Sequence, residues 1–131
     1  MALDMDGTVL NEELEISEKN QAAINQAVEL GMIVVIATGR AYHSLRQYQE
    51  ILQLTHPFIT YNGGVVISPN GEEIFYQQNV PEEAALEIIR CGQAFDVSQC
   101  VWSNDKPLYY QINQTHASRC RRERHYFYPA R

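Results

Sequence analysis

Met32-Ile33-Val34-Val35-Ile36-Ala37-Thr38-Gly39-Arg40 reads as a buried strand leading into a turn. An uninterrupted β-prone apolar run that ends in a Thr-Gly turn suits a parallel strand covered on both faces. Upstream of it, Ser17 is a good N-cap and Glu18 stands in the first turn, where the helix dipole favours an acid. Ala23, Ile24, Ala27 and Val28 share one helical face, and Gly31 stops the helix. Downstream, a second helix is expected to run to about Leu54, with Leu45, Tyr48 and Leu52 on its inner stripe. Pro57 closes that segment, and Phe58-Ile59-Thr60-Tyr61 reads as a strand closing on Asn62-Gly63-Gly64. At the front, Ala2-Leu3 looks like the end of a buried strand that runs into Asp4-Met5-Asp6-Gly7-Thr8. The order β-α-β-α-β predicts an α/β fold with a Rossmann-like, doubly wound parallel sheet and right-handed crossovers.

The pattern changes after Gly64. Val65-Val66-Ile67 and Ile74-Phe75-Tyr76 flank Ser68-Pro69-Asn70-Gly71, a hairpin signal. Pro81 sits at a helix start, and Leu86, Ile88 and Ile89 line a helix that fades near Phe95. Residues 97–102 and 108–110 flank the turn Asn104-Asp105, and the patterning stops after about Ile112. The expected organisation is a partial Rossmann-like core with a hairpin over 1–79, the start of an α+β module over 80–112, and a basic tail over 113–131.

Composition narrows the class. The chain has 131 residues, 45% of them apolar, with eight Tyr and four Phe, enough for a packed core. No run nears the ~18 apolar residues that cross a bilayer, and the N-terminus has no basic and apolar leader. Cys91, Cys100 and Cys120 match no metal-ligand spacing and read as reduced thiols of a cytoplasmic protein. Residues 1–118 hold five Lys/Arg against fifteen Asp/Glu, while 119–131 hold five Arg against one Glu. An acidic body argues against nucleic acid as the main partner. The arginine-rich end reads either as an interaction tail or as an unrelated terminus, and the abrupt loss of pattern before it favours the second.

Ligands of open α/β sheets bind at the carboxyl ends of the strands. Three loops converge there: Asp4-Met5-Asp6-Gly7-Thr8, Thr38-Gly39-Arg40 and Asn62-Gly63-Gly64. Two carboxylates at i and i+2 after a strand repel each other unless a cation or a proton resolves the conflict. Mg²⁺ beside a phosphate would do so. A carboxylate held this way can attack phosphorus, and a second one can protonate the leaving oxygen and later activate water. Taken singly these residues have plainer roles. Thr38 could cap a helix, Arg40 could be an exposed first-turn residue, and Asn62-Gly63 is an ordinary turn signal. The scattered His43, His56, His116 and His125 suit solvated or capping roles.

Asp4-Met5-Asp6-Gly7-Thr8-Val9-Leu10 resembles the first motif of haloacid dehalogenase (HAD)-type phosphatases. Ile36-Ala37-Thr38-Gly39-Arg40 resembles their second motif in its Cof-like form, and Asn62-Gly63-Gly64 matches the Asn-Gly after that subgroup's third strand. The resemblance spans about Ala2 to Tyr110. It implies the N-terminal half of a HAD-type core running into the start of a C2-type cap, and hydrolysis of small phosphomonoesters such as sugar phosphates or nucleotides with Mg²⁺. It also implies that Asp4 is nucleophile and metal ligand. Asp6 would be general acid/base and lend its backbone carbonyl to the metal. Thr38, with Gly39, would bind the transferring phosphoryl group, and Arg40, Asn62 and Gly63 would lie near the substrate phosphate.

Such enzymes also carry a lysine after a later strand and a Gly-Asp-x-x-Asn-Asp motif. This chain has only Lys19 and Lys106, which read as surface residues, and Asn104-Asp105 lacks the preceding Gly-Asp. The expectation is therefore a truncated, impaired phosphatase, with a non-catalytic fragment that binds phosphate or a protein partner as the competing class. A dehalogenating or acyl-transferring enzyme fits Asp6-Gly7-Thr8 less well. An uncovered edge on the strand bearing Asp4 predicts self-association.

Overall fold

The computed structural model describes residues 1–95 and 97–110. The basic tail, His116, His125 and Cys120 lie outside the described residues. The chain divides into two units, Met1–Asn79 and Val80–Arg131.

In the first unit, β1 (Ala2–Leu3) pairs in parallel with β2 (Val35–Ile36), and a parallel bridge from Ala37 to Ile59 joins β2 to β3 (Phe58–Thr60). Three backbone bonds stitch this order: Val35 N–H to Met1 O, Ala37 N–H to Leu3 O, and Thr38 N–H to Ile59 O, at 2.8–2.9 Å. The expected parallel α/β arrangement is therefore present. β3 then continues antiparallel into β4 (Val65–Ile67) and β5 (Ile74–Gln77). Gly71, at φ +76°, takes the left-handed turn position between the last two.

Helix α1 (Glu18–Glu29) is capped as its sequence requires, the Ser17 hydroxyl accepting from Asn20 N–H at 3.2 Å. Its buried face is narrower than the apolar spacing suggests. Ile24 is buried and Ala27 partly so, whereas Val28 is 43% exposed and Ala23 also faces water. The central strand is likewise shorter than the apolar run. Only Val35–Ile36 is regular strand, and Met32 and Ile33 are 49% and 58% exposed. The run is apolar throughout, but elements of this unit cover it only from Val34 onward.

After Arg40 the chain makes a 3₁₀ turn, Tyr42–Ser44, before α2 (Arg46–Leu52). The second helix is thus later and shorter than expected, ending where Gln53 turns left-handed at φ 50°. Its inner stripe of Leu45, Tyr48 and Leu52 is buried as the spacing predicts. Met5, Val34, Ile36, Phe58 and Ile67 meet that stripe in one core. A fully buried side chain of this size contributes about 1.5–3 kcal/mol, so this cluster is what holds the rim loops in place.

In the second unit, α3 (Glu82–Gln93) precedes the hairpin of β6 (Gln99–Ser103) and β7 (Lys106–Tyr110). Asn104 and Asp105 both have positive φ, 50° and 57°, as a two-residue hairpin turn needs. Of the three residues expected on the inner face of α3, Ile89 is the less exposed one and the other two are corrected. Leu86 and Ile88 are 43% and 63% exposed, and Ala84, Ala85, Ile89 and Gly92 are the less exposed positions.

Candidate active site

The first loop is built on Met5. This side chain is fully buried and its carbonyl accepts from Val9 N–H and Leu10 N–H at 3.1 and 2.9 Å. Met5 is thus anchored in the core, while Asp4 and Asp6 on either side of it are both exposed. Gly7 sits at φ +71°, the left-handed conformation that lets the chain leave the strand sharply.

The second loop locks onto the first. Arg40 donates from Nε to Asp6 Oδ2 at 2.8 Å and from Nη2 to Asp6 Oδ1 at 2.6 Å, a fork-on-fork pair between residues 34 positions apart. The Asp6 side chain is 54% exposed and that of Arg40 only 18%. Below the guanidinium lies the Tyr48 ring, 5.9 Å from Arg40 Cζ to its centroid, and the Tyr48 hydroxyl donates to Leu14 O at 3.0 Å. Arg40 is therefore a preset cation on an aromatic seat and not a loose first-turn residue. Ion pairs this open to water are worth about 0.2–1 kcal/mol, so the link to Asp6 orients more than it stabilises.

Thr38 is buried at 6% exposure, and its hydroxyl accepts from Arg40 N–H at 3.2 Å. That bond shapes the Thr38-Gly39-Arg40 turn, and α2 begins too late for Thr38 to be its cap.

The third loop closes against the second. Asn62 N–H donates to Thr38 O and Tyr61 N–H donates to Arg40 O, both at 3.1 Å. Tyr61, Asn62 and Gly63 have φ of 52°, 55° and 93°, three left-handed residues in succession. Asn and Gly tolerate that region, whereas an aromatic residue there is strained, at roughly 1–3 kcal/mol. Gly39 abuts the Asn62 carboxamide so closely that a Cβ on residue 39 would lie 2.8 Å from Asn62 Oδ1.

Asp4, Asp6, Thr38, Gly39, Arg40, Asn62 and Gly63 thus come from three loops, and direct contacts tie the loops of Asp6, Thr38–Arg40 and Asn62 together. Two features carry no sequence signal of their own. Tyr48 reads simply as a core stripe residue, and Tyr61 as a strand end.

The donors at the first loop are hard oxygens, the kind Mg²⁺ selects. Among the described residues no three His, Cys, Asp or Glu side chains cluster to hold a metal ion. Asp4 with a backbone carbonyl fits the sparser mode in which Mg²⁺ takes one or two carboxylates and fills its shell with phosphate and water.

The parallel α/β core brings these loops to the carboxyl edge of its sheet, where open α/β folds place their ligands. The family model for haloacid dehalogenase-like hydrolases matches residues 1–130, and the chain belongs to that family. It is 27% identical over 117 residues to the Bacillus subtilis (strain 168) 5-amino-6-(5-phospho-D-ribitylamino)uracil phosphatase YitU, covering 88% of this chain and 43% of that protein. It is 34% identical over 83 residues to an HMP-PP phosphatase of Cronobacter sakazakii, covering 63% of this chain and 30% of that protein. A haloacid dehalogenase-like hydrolase from Bacteroides thetaiotaomicron superposes with a TM-score of 0.82 at 21% identity, covering 98% of this chain and 50% of that one. The chain spans less than half the length of these two curated relatives.

Proposed function

We propose that this rim is the nucleophile half of a phosphoryl-transfer site, and that the protein hydrolyses small phosphomonoesters such as sugar phosphates or nucleotides. The observation that carries the reading is the joining of three loops at one sheet edge, with Asp6 gripped by Arg40 and Asn62 set against Gly39. That the chain belongs to a hydrolase family with relatives named as phosphatases supports it.

An Asp4 carboxylate oxygen attacks phosphorus as the bond to the leaving oxygen breaks, giving an aspartyl phosphate. The Asp6 carboxyl gives the leaving oxygen its proton. A water then attacks the phosphoryl group, Asp6 takes the water's proton, and release of phosphate restores Asp4. Thr38 and Gly39 hold the transferring group, with Arg40 and Asn62 beside it. The Asp4 carboxylate and the Asp6 carbonyl would hold Mg²⁺, which when bound offsets the charge of the phosphate.

These 131 residues contain no Gly-Asp-x-x-Asn-Asp, and of their two lysines Lys19 lies in the first turn of α1 and Lys106 opens β7. Turnover by this chain is accordingly far below that of a relative carrying both motifs. The segment from residue 80 is the start of a cap that helps select the substrate. β1 pairs on one side with β2, and its other edge serves self-association.

The test is release of phosphate from p-nitrophenyl phosphate by the purified chain, with and without Mg²⁺, beside Asp4→Asn. Slow, Mg²⁺-dependent release that vanishes in the variant supports the reading. Release unchanged in Asp4→Asn overturns it, and no release at all favours a non-catalytic phosphate-binding role.

A further inference from the structure

Arg40 is set where two anions would compete for it. Its guanidinium rests on Tyr48, most of its side chain is covered, and both bonded nitrogens point at one carboxylate that is itself more than half exposed. The planar fork that fits Asp6 fits a phosphate equally well, because carboxylate and phosphate present oxygens at similar spacing. Arg40 is also tied by its backbone to the phosphate loop on one side and to the third loop on the other. Its N–H donates to Thr38 Oγ1 and its carbonyl accepts from Tyr61 N–H. The side chain can therefore change partner while its backbone stays fixed.

We infer that Arg40 is an exchangeable clamp: with no ligand it grips the Asp6 carboxylate, and a phosphate group entering beside Thr38 takes the guanidinium over and releases the first loop. This rests on reading the rim as a phosphate site and adds what that reading lacks, a direct coupling between phosphate binding and the position of Asp6. Asp6 acts here as a competitor for Arg40, and Tyr48 is a positioning residue that keeps the guanidinium in reach of both partners. Weakness of the pair is what makes the exchange workable. A fully buried bidentate pair would hold the first loop shut, whereas one so exposed yields to a dianion.

Binding of inorganic phosphate without added metal tests this, measured by calorimetry on the full chain, Asp4→Asn, Asp6→Asn, Arg40→Gln and the Asp6→Asn/Arg40→Gln double variant. Removing any acid from the rim raises phosphate affinity by relieving repulsion, and Asp4→Asn measures that general gain. The clamp predicts a further gain of about two- to fivefold in Asp6→Asn, the size expected for loss of an exposed ion pair. It also predicts that this extra gain disappears in the Arg40→Gln background. The NMR signal of the Arg40 Nε–H gives a second readout. It shifts on adding phosphate to the wild-type chain and is displaced before phosphate is added in Asp6→Asn. Equal gains in Asp4→Asn and Asp6→Asn, or an Arg40 signal unmoved by bound phosphate, overturn the clamp and leave the phosphate site standing. Failure of phosphate to bind any of the proteins overturns both.

Discussion

Asn62 occupies the space that a side chain on Gly39 would need: its Oδ1 is 2.8 Å from where a Cβ on residue 39 would stand. Two loops separated by a helix and a strand are thereby fitted to each other at one atom. Gly39→Ala should cost about 1–2 kcal/mol, because the third loop must shift to admit a methyl group. In an Asn62→Gly background the carboxamide is gone and glycine is at ease at φ 55°, so the same substitution should be nearly neutral. Urea midpoints of the four proteins measure the coupling, and equal losses in both backgrounds would mean that the contact does not constrain the loops.

Tyr48 makes two contacts that substitution can separate. Tyr48→Phe keeps the ring under Arg40 and removes the bond to Leu14 O, so it should lower stability by about 0.5–1.5 kcal/mol and change phosphate affinity less than twofold. Tyr48→Leu removes the ring as well. Loss of a cation–π seat worth about 0.5–1 kcal/mol should weaken phosphate binding roughly two- to fivefold. Titration with phosphate under conditions where both variants are folded separates the two effects.

Phe58 and Ile33 both belong to apolar runs that read as strand, yet they should respond in opposite ways. Phe58 is 1% exposed and faces Tyr42, with ring centroids 6.4 Å apart. Phe58→Ala should remove about 3–5 kcal/mol, enough to unfold much of a marginally stable chain at 25 °C. Ile33 is 58% exposed, and Ile33→Ala should stay within about 0.5 kcal/mol. Circular dichroism during urea unfolding distinguishes the two.

Self-association through the edge of β1 that pairs with no strand among the described residues should be sensitive to charge placed on that strand. Ala2 is exposed, and Ala2→Lys sets a solvated cation on an edge that would otherwise pair. Sedimentation velocity should show the wild-type chain as species heavier than one copy and the variant shifted toward the monomer. An unchanged distribution would place any association elsewhere.

Much of this was legible in the sequence, for definable reasons. Positions where backbone conformation limits residue choice announce themselves, as at Ser17, Gly7 and Asn104-Asp105, and each does the local job its type suggests. The meeting of three loops followed from element order alone, because parallel strands bring their carboxyl ends to one edge. Burial was less legible. Met32, Val28 and Ile88 are as apolar as their neighbours, and the pattern does not say where a covering element ends. Partner choice was not legible at all. Nothing in a Thr-Gly-Arg turn shows that the arginine reaches back 34 positions to Asp6, or that a tyrosine eight residues on will seat it. Such pairings arise only once the sheet has placed the loops side by side.

Trapping the covalent intermediate shows whether Asp4 is the nucleophile. The chain is incubated with Mg²⁺ and a phosphoryl donor such as acetyl phosphate, quenched in acid, reduced with borohydride and mapped by mass spectrometry. Asp4 should be reduced to homoserine in a fraction of the wild-type chains, with Asp6 left intact. Turnover of the donor with no modification at Asp4, or the label found at Asp6, would contradict that role.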